Sequence, residues 1–383
     1  MFQRHRSILA AAALAGSAAL VLAGCSSSPS TGEGTTAAGG GGKADLAAAQ
    51  KLLEPFTSTS AKSLLVDEPL SQPIPAGTSM AFLDVGTPIA TIMWDNLQAI
   101  QQLTGIQMSR IQTGNDADSI NSALNTVVEN PPSAVINVAI DPTFFQTQIE
   151  QLKQKGVPVV SASIMNGADF GLPPVFNGPE ETEASGRALT AAAIDRTNGE
   201  ATEFVYYHIP EFPFSSVLLK GAQEEMSELC PDCNLRVVEI PLATLGSTAA
   251  DRVVSDLQSH PETQYFISSV DEVQIGLPAK MQVAGIDSVG GLGQTTSQVN
   301  YQQLLDGTQD ASLSIDLNLF MWSLVDQALR EIEGQKYSFP DPMAVAATLQ
   351  RITTHDNAPS DTAVGYIAIP DYRDQYAKLW LVK

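Results

Sequence analysis

The chain has 383 residues, 44% hydrophobic and only 16% charged, which excludes a wholly disordered polypeptide and supplies apolar material for about two packed units. Its 20 Lys and Arg stand against 42 Asp and Glu, a formal net charge of −22 that repels polyphosphate and excludes nucleic acid as a partner.

Residues 1–24 read as an export signal. Arg4, His5 and Arg6 form a basic start, and residues 8–23 are an uncharged Ala- and Leu-rich run, shorter than the about 20 residues of a comfortable membrane span. Leu22-Ala23-Gly24-Cys25 follows. This small-residue site ending in cysteine resembles the lipobox of bacterial lipoproteins; the plainer alternative is an ordinary signal peptide with a chance cysteine. The resemblance implies that Cys25 becomes the lipidated first residue of the mature chain, outside the cytoplasm and anchored to the cell membrane. Residues 26–43 are a Ser/Gly/Thr-rich tether that cannot bury a core, and 25–76 as a whole are expected to be flexible tether and N-terminal extension.

From Met80 the chain alternates strand-like and helix-like runs. Strands are predicted at 80–85 (MAFLDV), 108–113, 134–140 (AVINVAI) and 158–164; between them lie a helix at 89–103, a helix through Val128 for which NDADS (115–119) offers N-cap residues, and a helix at 142–155. Pro142 suits a helix start, and Gly156 lies just past that helix's end. A second series follows: helix 180–196, strand 203–209, helix 215–229, strand 235–240, helix 247–259, strand 264–270, helix 272–282, strand 289–293, helix 298–305 and strand 311–315. Helix 317–332 and a strand at 364–369 (VGYIAI) close a less regular C-terminal stretch. The β-α-β order argues two α/β lobes with parallel sheets and helices on both faces.

Residues with catalytic potential are few. No G-x-S-x-G, H-E-x-x-H or G-x-x-x-x-G-K-[ST] is present. GGLGQT (290–295) does not fit G-x-G-x-x-G and reads as a tight turn, so no cofactor is expected. NDADSIN (115–121) lacks the central Gly and terminal Glu of a calcium loop and reads as a helix cap. His208, His260 and His355 have no metal-ligand spacing, so no metal is expected. Cys230-Pro-Asp-Cys233 follows a helix and precedes a strand, the wrong helix end for an activated thiolate, and reads as a local structural disulfide ahead of a redox pair. Asp84 and Asp141 form a candidate acid–base pair, but chance pairing is expected among so many acids.

In open α/β sheets, ligands bind beyond the carboxyl ends of the strands. Those positions carry Asp84, Gly86 and Thr87, then Asn115 and Asp116, then Asp141; in the second series they carry Glu211, Phe212 and Phe214, then Asp271, then Gln294, with Asp316 and Asn318 after the last strand. Each alone is more often a cap or solvated loop residue. As a set they mark a small-molecule cleft with few polar anchors and aromatic walls, with Asp84, Thr87, Asn115, Asp141, Phe212, Phe214, Asp271, Gln294, Asp316 and Asn318 as candidate contacts. Trp94 and Trp322 could stack on a ligand, but their helical spacing favours core packing.

Pro88 after strand one, the run AVINVAIDP, GVPVVS (156–161), VDE (270–272) with Gly276 at the Gly of an "ND-x-x-A-x-G" turn, and VGGLG (289–293) beside "VGFDG" occur in order and spacing similar to type I periplasmic binding proteins. The resemblance, over residues 77–340, implies two Rossmann-like lobes joined by a three-stranded hinge. Crossovers are then expected near 164–166, 314–316 and 350–360. The first lobe would be 77–165 plus 317–352, and the second 166–316 plus 353–383. It also implies a non-enzymatic, monomeric receptor that captures a small molecule, such as a sugar or a less polar, sugar-like compound, between its lobes and delivers it to an ABC importer permease. Alternatives are a ligand-sensing lipoprotein partnering a membrane kinase and a cell-envelope carboxylate enzyme. Gly293 stands where the family's sugar-binding Asp is expected, Ile89 and Ala90 replace an aromatic pair, and EFPFSS (211–216) lacks the usual Arg. These departures turn the expectation away from a simple pentose or hexose.

Overall fold

The computed structural model describes residues 44–58, 62–286, 289–336 and 341–382. The export signal, Cys25 and the tether at 26–43 lie outside the described residues.

The first described element lies in the N-terminal extension. Helix α1 (Leu46–Thr57) starts at Asp45, whose carboxylate accepts the Ala48 N–H at 2.9 Å. It buries Ala49, Leu53 and Phe56 in the core of the second lobe. Those three residues, spaced four and three apart, share one helix face, which is why a short Ala-rich segment holds against a larger body.

The first lobe runs β1 (Ser79–Asp84), α2 (Pro88–Thr104), β2 (Gln107–Gln112), α3 (Ala117–Glu129), β3 (Ala134–Val138), α4 (Gln146–Gln154) and β4 (Val159–Ala162). Its sheet has the order β2-β1-β3-β4, all parallel, with Met80 opposite both Met108 and Ala134. Alternation along β1 sends Met80 and Phe82 into one apolar layer and Ala81 and Leu83 into the other, so both faces are covered. Thr87 caps α2 by accepting the Ala90 N–H at 3.3 Å, and Asp116 caps α3 by accepting the Ser119 N–H at 2.9 Å.

The second lobe runs α5 (Pro179–Arg196), β5 (Glu203–His208), α6 (Pro213–Leu229), β6 (Asn234–Glu239), α7 (Ala249–Ser259), β7 (Tyr265–Ser268), α8 (Leu277–Ala284), β8 (Gly290–Leu292) and α9 (Gln298–Leu305), with sheet order β6-β5-β7-β8. Helix 142–155 of the sequence reading divides into a 3₁₀ turn, Pro142–Phe144, and α4. Helix 272–282 likewise divides into a turn, Asp271–Gln274, and α8, because Gly276 between them takes φ +73°. The Cys230 and Cys233 sulfurs are paired, with Cα atoms 5.3 Å apart, just past the end of α6.

The chain then passes between the lobes. β9 (Ala311–Ile315) leads into α10 (Leu317–Glu333), and α11 (Pro342–Leu349) into β10 (Gln350–Thr354), which pairs antiparallel with β9. A parallel bridge between Gln294 and Leu313 ties β9 to the second sheet. The first crossover differs from the expected 164–166. Val175 and Phe176 still pack in the first lobe, and the Ser163 N–H donates to Asn177 O at 3.1 Å, so the chain folds back before leaving at 177–178.

The C-terminal segment also differs from the reading that put 353–383 with the second lobe. In α12 (Tyr372–Leu379) and just beyond it, Tyr372, Tyr376 and Trp380 pack in the first lobe's core. Trp380 stacks on Trp322 with centroids 5.2 Å apart and planes at 9°, and its Nε1 donates to Asp326 at 2.9 Å. Trp322 is therefore a core residue. No strand forms at 364–369. Gly365 sits at φ +73°, the Tyr366 N–H donates to the Tyr301 hydroxyl at 3.0 Å, and the Ala368 N–H to Asp316 at 2.7 Å, so side chains replace a strand ladder. Among the described residues, no helix is long and apolar enough to cross a membrane.

Candidate functional site

A cavity of about 80 Å³ lies between the lobes. The first lobe contributes Val85 and Thr87 from the end of β1, and Ile89, Ala90 and Met93 from the start of α2. The second contributes Phe212 and Phe214 at the start of α6, then Val270, Glu272 and Gln294 from the ends of β7 and β8. The crossovers close it with Asn177, Leu317, Phe320 and Gln350. Walls from both lobes and the segments joining them make its size depend on how far the lobes are closed.

Backbone strain collects here. Ala139, Ser163, Asn177 and Thr295, four of the six non-glycine residues with positive φ among the described residues, line this cavity. Such conformations are sparsely populated and persist where the surroundings over-determine them, which in folded proteins favours binding sites. Asn177 is further fixed by its Nδ2, which donates to Ser163 Oγ at 2.9 Å.

Of the residues singled out from the sequence, the structure brings four together at the cavity: Thr87, Phe212, Phe214 and Gln294. Phe212 and Phe214 stack, with centroids 5.0 Å apart and planes at 24°. The others lie elsewhere. Asp84 is fully buried and takes the Arg110 and Gln112 side chains and the Gly86 N–H. Asn115 is exposed before α3. Asp141 caps the 142–144 turn through the Thr143 N–H at 2.9 Å, so Asp84 and Asp141 do not face each other across the cavity. Asp271 is fully buried, accepts Gln274 Nε2 at 2.8 Å and the Ser312 hydroxyl, and is pushed up to about 7 by burial. Asp316 caps α10 through the Leu319 N–H at 2.9 Å and holds the Ala368 N–H; burial raises its pKa to about 6. Asn318 borders a separate crevice with Val364 and Tyr366.

Sequence reasoning missed Glu272, Asn177, Ser163 and Gln350. Glu272 stands beside Asp271 in the VDE segment. Ser163 directly follows β4 and was within reach of the strand-end rule, whereas Asn177 and Gln350, on the crossover segments, carry no such signal. Glu272 is 3% exposed, and burial in apolar surroundings pushes its carboxyl up to about 7, against the opposing pull of the Ile89 N–H on the other lobe. The glycine at 293 has a packing reason: a Cβ there would lie 2.8 Å from Asp271 Oδ1 and overlap the Ser268 hydroxyl, so no aspartate fits.

This two-lobed architecture meets a family model described as the periplasmic binding protein domain, which matches residues 80–336. The chain belongs to the periplasmic binding protein family. Solved structures share the type I fold. GanP, a glucose-galactose binding protein from Geobacillus stearothermophilus, is 14% identical with a TM-score of 0.63, over 74% of this chain and all of that one. An ABC transporter periplasmic solute binding protein from Actinobacillus succinogenes with bound D-allose is 14% identical with a TM-score of 0.60, over 73% of this chain and 98% of that one. A chain of the XylFII-LytSN complex is 11% identical with a TM-score of 0.61, over 74% and 99%. At these identities the likeness is one of fold, and no curated protein sequence matches the chain. Members of this periplasmic binding protein family are extracytoplasmic ligand-binding proteins.

Proposed function

We propose that this periplasmic binding protein is a lipid-anchored receptor that closes on a small, partly apolar molecule and presents it to an ABC importer permease, without catalysis of its own. The observation that supports the reading is the cavity itself, with walls from both lobes and from the crossovers, so that full ligand contact exists only when the lobes are shut. Its aromatic and aliphatic lining, with few polar side chains, favours a compound less hydroxylated than a simple sugar. Export would leave Cys230 and Cys233 oxidised as a disulfide.

A thermal-shift screen across sugars, polyols, nucleosides, aromatic acids and amines tests the ligand class, since a ligand of the closed form raises the melting temperature with concentration. Phe212→Ala and Phe214→Ala are each expected to weaken the best ligand about tenfold, a loss of about 1.4 kcal/mol, while Asn115→Ala leaves it unchanged. Saturable binding of glucose, ribose or galactose alone would contradict the reading.

Anchoring rests on LAGC at 22–25. Cys25→Ser is expected to abolish lipid labelling and release the protein from the membrane fraction; unaltered labelling refutes the anchor. Stable anchoring needs more than one acyl chain.

The likeness to a chain of the XylFII-LytSN complex favours a second reading, in which a membrane kinase replaces the permease. Crosslinking in native membranes separates the two, through a permease or a kinase captured only when ligand is present.

A further inference from the structure

Among the described residues lining the cavity, Glu272 is the one with an ionisable side chain. It is 3% exposed, and its Oε1 has no hydrogen-bond partner. A buried carboxylate oxygen left unpaired is costly, and evolved interiors seldom leave one without a use. Its carboxyl is held at the start of α2 on the opposite lobe, under the influence of the Ile89 N–H. Closure therefore places one acid from the second lobe in an apolar chamber built by both.

The surroundings offer it no cation. Of the elements packed on the 271–274 turn, α7 carries Asp251, Arg252 and Asp256, α8 carries Lys280, and α9 carries Tyr301. Asp251 is paired with Lys280, Asp256 with Arg236, Arg252 donates to Glu239 O, and Tyr301 takes the Tyr366 N–H. The neighbouring Asp271 is engaged by Ser312 and Gln274. In α2 the one charged residue is Asp95, which does not line the cavity. Of the remaining polar groups, Asn177 binds Ser163, Gln350 Oε1 accepts the Ser185 hydroxyl at 2.9 Å and Thr87 caps α2, which leaves chiefly the Gln294 amide and the Thr295 hydroxyl for a ligand. A polyol would leave several of its hydroxyls unpaired, and an anionic ligand would meet a carboxyl and no cation.

We propose that the molecule taken up between the lobes is a small organic cation, a primary or secondary amine on an apolar body, and that Glu272 is the residue that reads its charge. The proposal rests on the receptor reading above and names the ligand class for the same cavity. An ammonium supplies both the missing hydrogen-bond donor and the opposite charge in surroundings that strengthen the pair, and the Phe212–Phe214 faces on the same cavity also favour a cation. Because burial holds the empty-site carboxyl protonated up to about pH 7, ammonium binding below that pH displaces the Glu272 proton to solvent and leaves an ion pair.

Titration calorimetry on the full-length protein in detergent tests this with cyclohexylamine and phenethylamine against the matched alcohols, cyclohexanol and 2-phenylethanol. Each amine is expected to bind at least tenfold more tightly than its alcohol at pH 7.5. At pH 6 the amine's binding enthalpy should change with buffer ionisation enthalpy by close to one released proton. Glu272→Gln should bring amine and alcohol affinities together and remove the proton release. Alcohols binding as well as amines, no proton release in the wild-type protein, or no amine binding below millimolar each overturns the proposal, without needing the variant to fold. The receptor reading fails separately, if no compound of any class in the thermal-shift screen binds.

Discussion

Replacing Gly221 with alanine is expected to destabilise the second lobe by several degrees of melting temperature. At the crossing of α5 and α6 a Cβ on Gly221 would overlap the Glu183 carbonyl, and one on Gly186 would overlap the Leu218 carbonyl. The two glycines are reciprocal, each admitting the other helix's backbone. Neither obstacle is a side chain that could rotate away, so the helices themselves must part. Alanine in a helix gains about 1 kcal/mol of propensity over glycine. Overpacking costs about 1–3 kcal/mol and more where backbone must shift. The clash therefore wins, because separating α5 from α6 also loosens Ala188, Leu189, Leu218 and Ala222, all buried in the second lobe's core. Thermal unfolding measures it: a drop of several degrees is expected for each variant, and the double variant should lose less than the sum, since both relieve the same close approach. Wild-type melting for Gly221→Ala would show that the crossing is not closely packed in solution.

Stability is expected to fall as pH rises from about 5 to about 8, opposite to the usual behaviour of a carboxylate-rich protein. Glu272 and Asp271 are raised to about 7 and Asp316 to about 6 by burial, from ordinary values of 4.5 for glutamate and 3.8 for aspartate. A group whose folded pKa exceeds its unfolded value binds more protons when folded, so its contribution is full below about pH 4 and is lost as pH climbs through 6 and 7. At about 1.4 kcal/mol for each pH unit of difference, Glu272 alone accounts for roughly 3 kcal/mol. Asp116, Glu224 and Glu262 are shifted the other way but sit on the surface, where solvent screens them; His208, lowered by burial, also opposes the trend, as a single group against three buried acids. Repulsion within a chain of net charge −22 acts in the same direction as the buried acids. The Glu272→Gln variant separates the two causes: urea midpoints at pH 5 and pH 8, at fixed ionic strength, should differ less in the variant than in the wild type. Equal differences in both proteins would remove Glu272 from the account.

Much of the fold was legible because periodicity reports it directly. β1 and β3 are short apolar runs covered on both faces, α3 begins at the Asp116 cap, and α9 and β9 lie at their expected bounds. The expectation failed where a segment's partner is distant. α1 is held by the second lobe's core, and α12 by Trp322, so neither docking partner can be read from local pattern. VGYIAI has the composition of a strand, yet Tyr301 and Asp316 take its N–H groups and Gly365 turns its backbone. In β10, Gln350-Arg351-Ile352-Thr353-Thr354 has β-branched residues but only one apolar side chain, and its pairing with β9 decides it.

At the site the division is equally physical. The order of elements by itself determined two α/β lobes and a cleft at the strand ends, because hydrophobic period and turn residues act over a few positions. Thr87, Phe212, Phe214 and Gln294 were reachable on that rule. Only the tertiary structure decided that Asp84, Asp141, Asp271 and Asp316 serve as internal ties while Glu272 faces the cavity. A carboxylate's role depends on which donors surround it: Asp141 caps its own turn, but Arg110 on Asp84, Ser312 on Asp271 and the Ala368 N–H on Asp316 come from segments far along the chain.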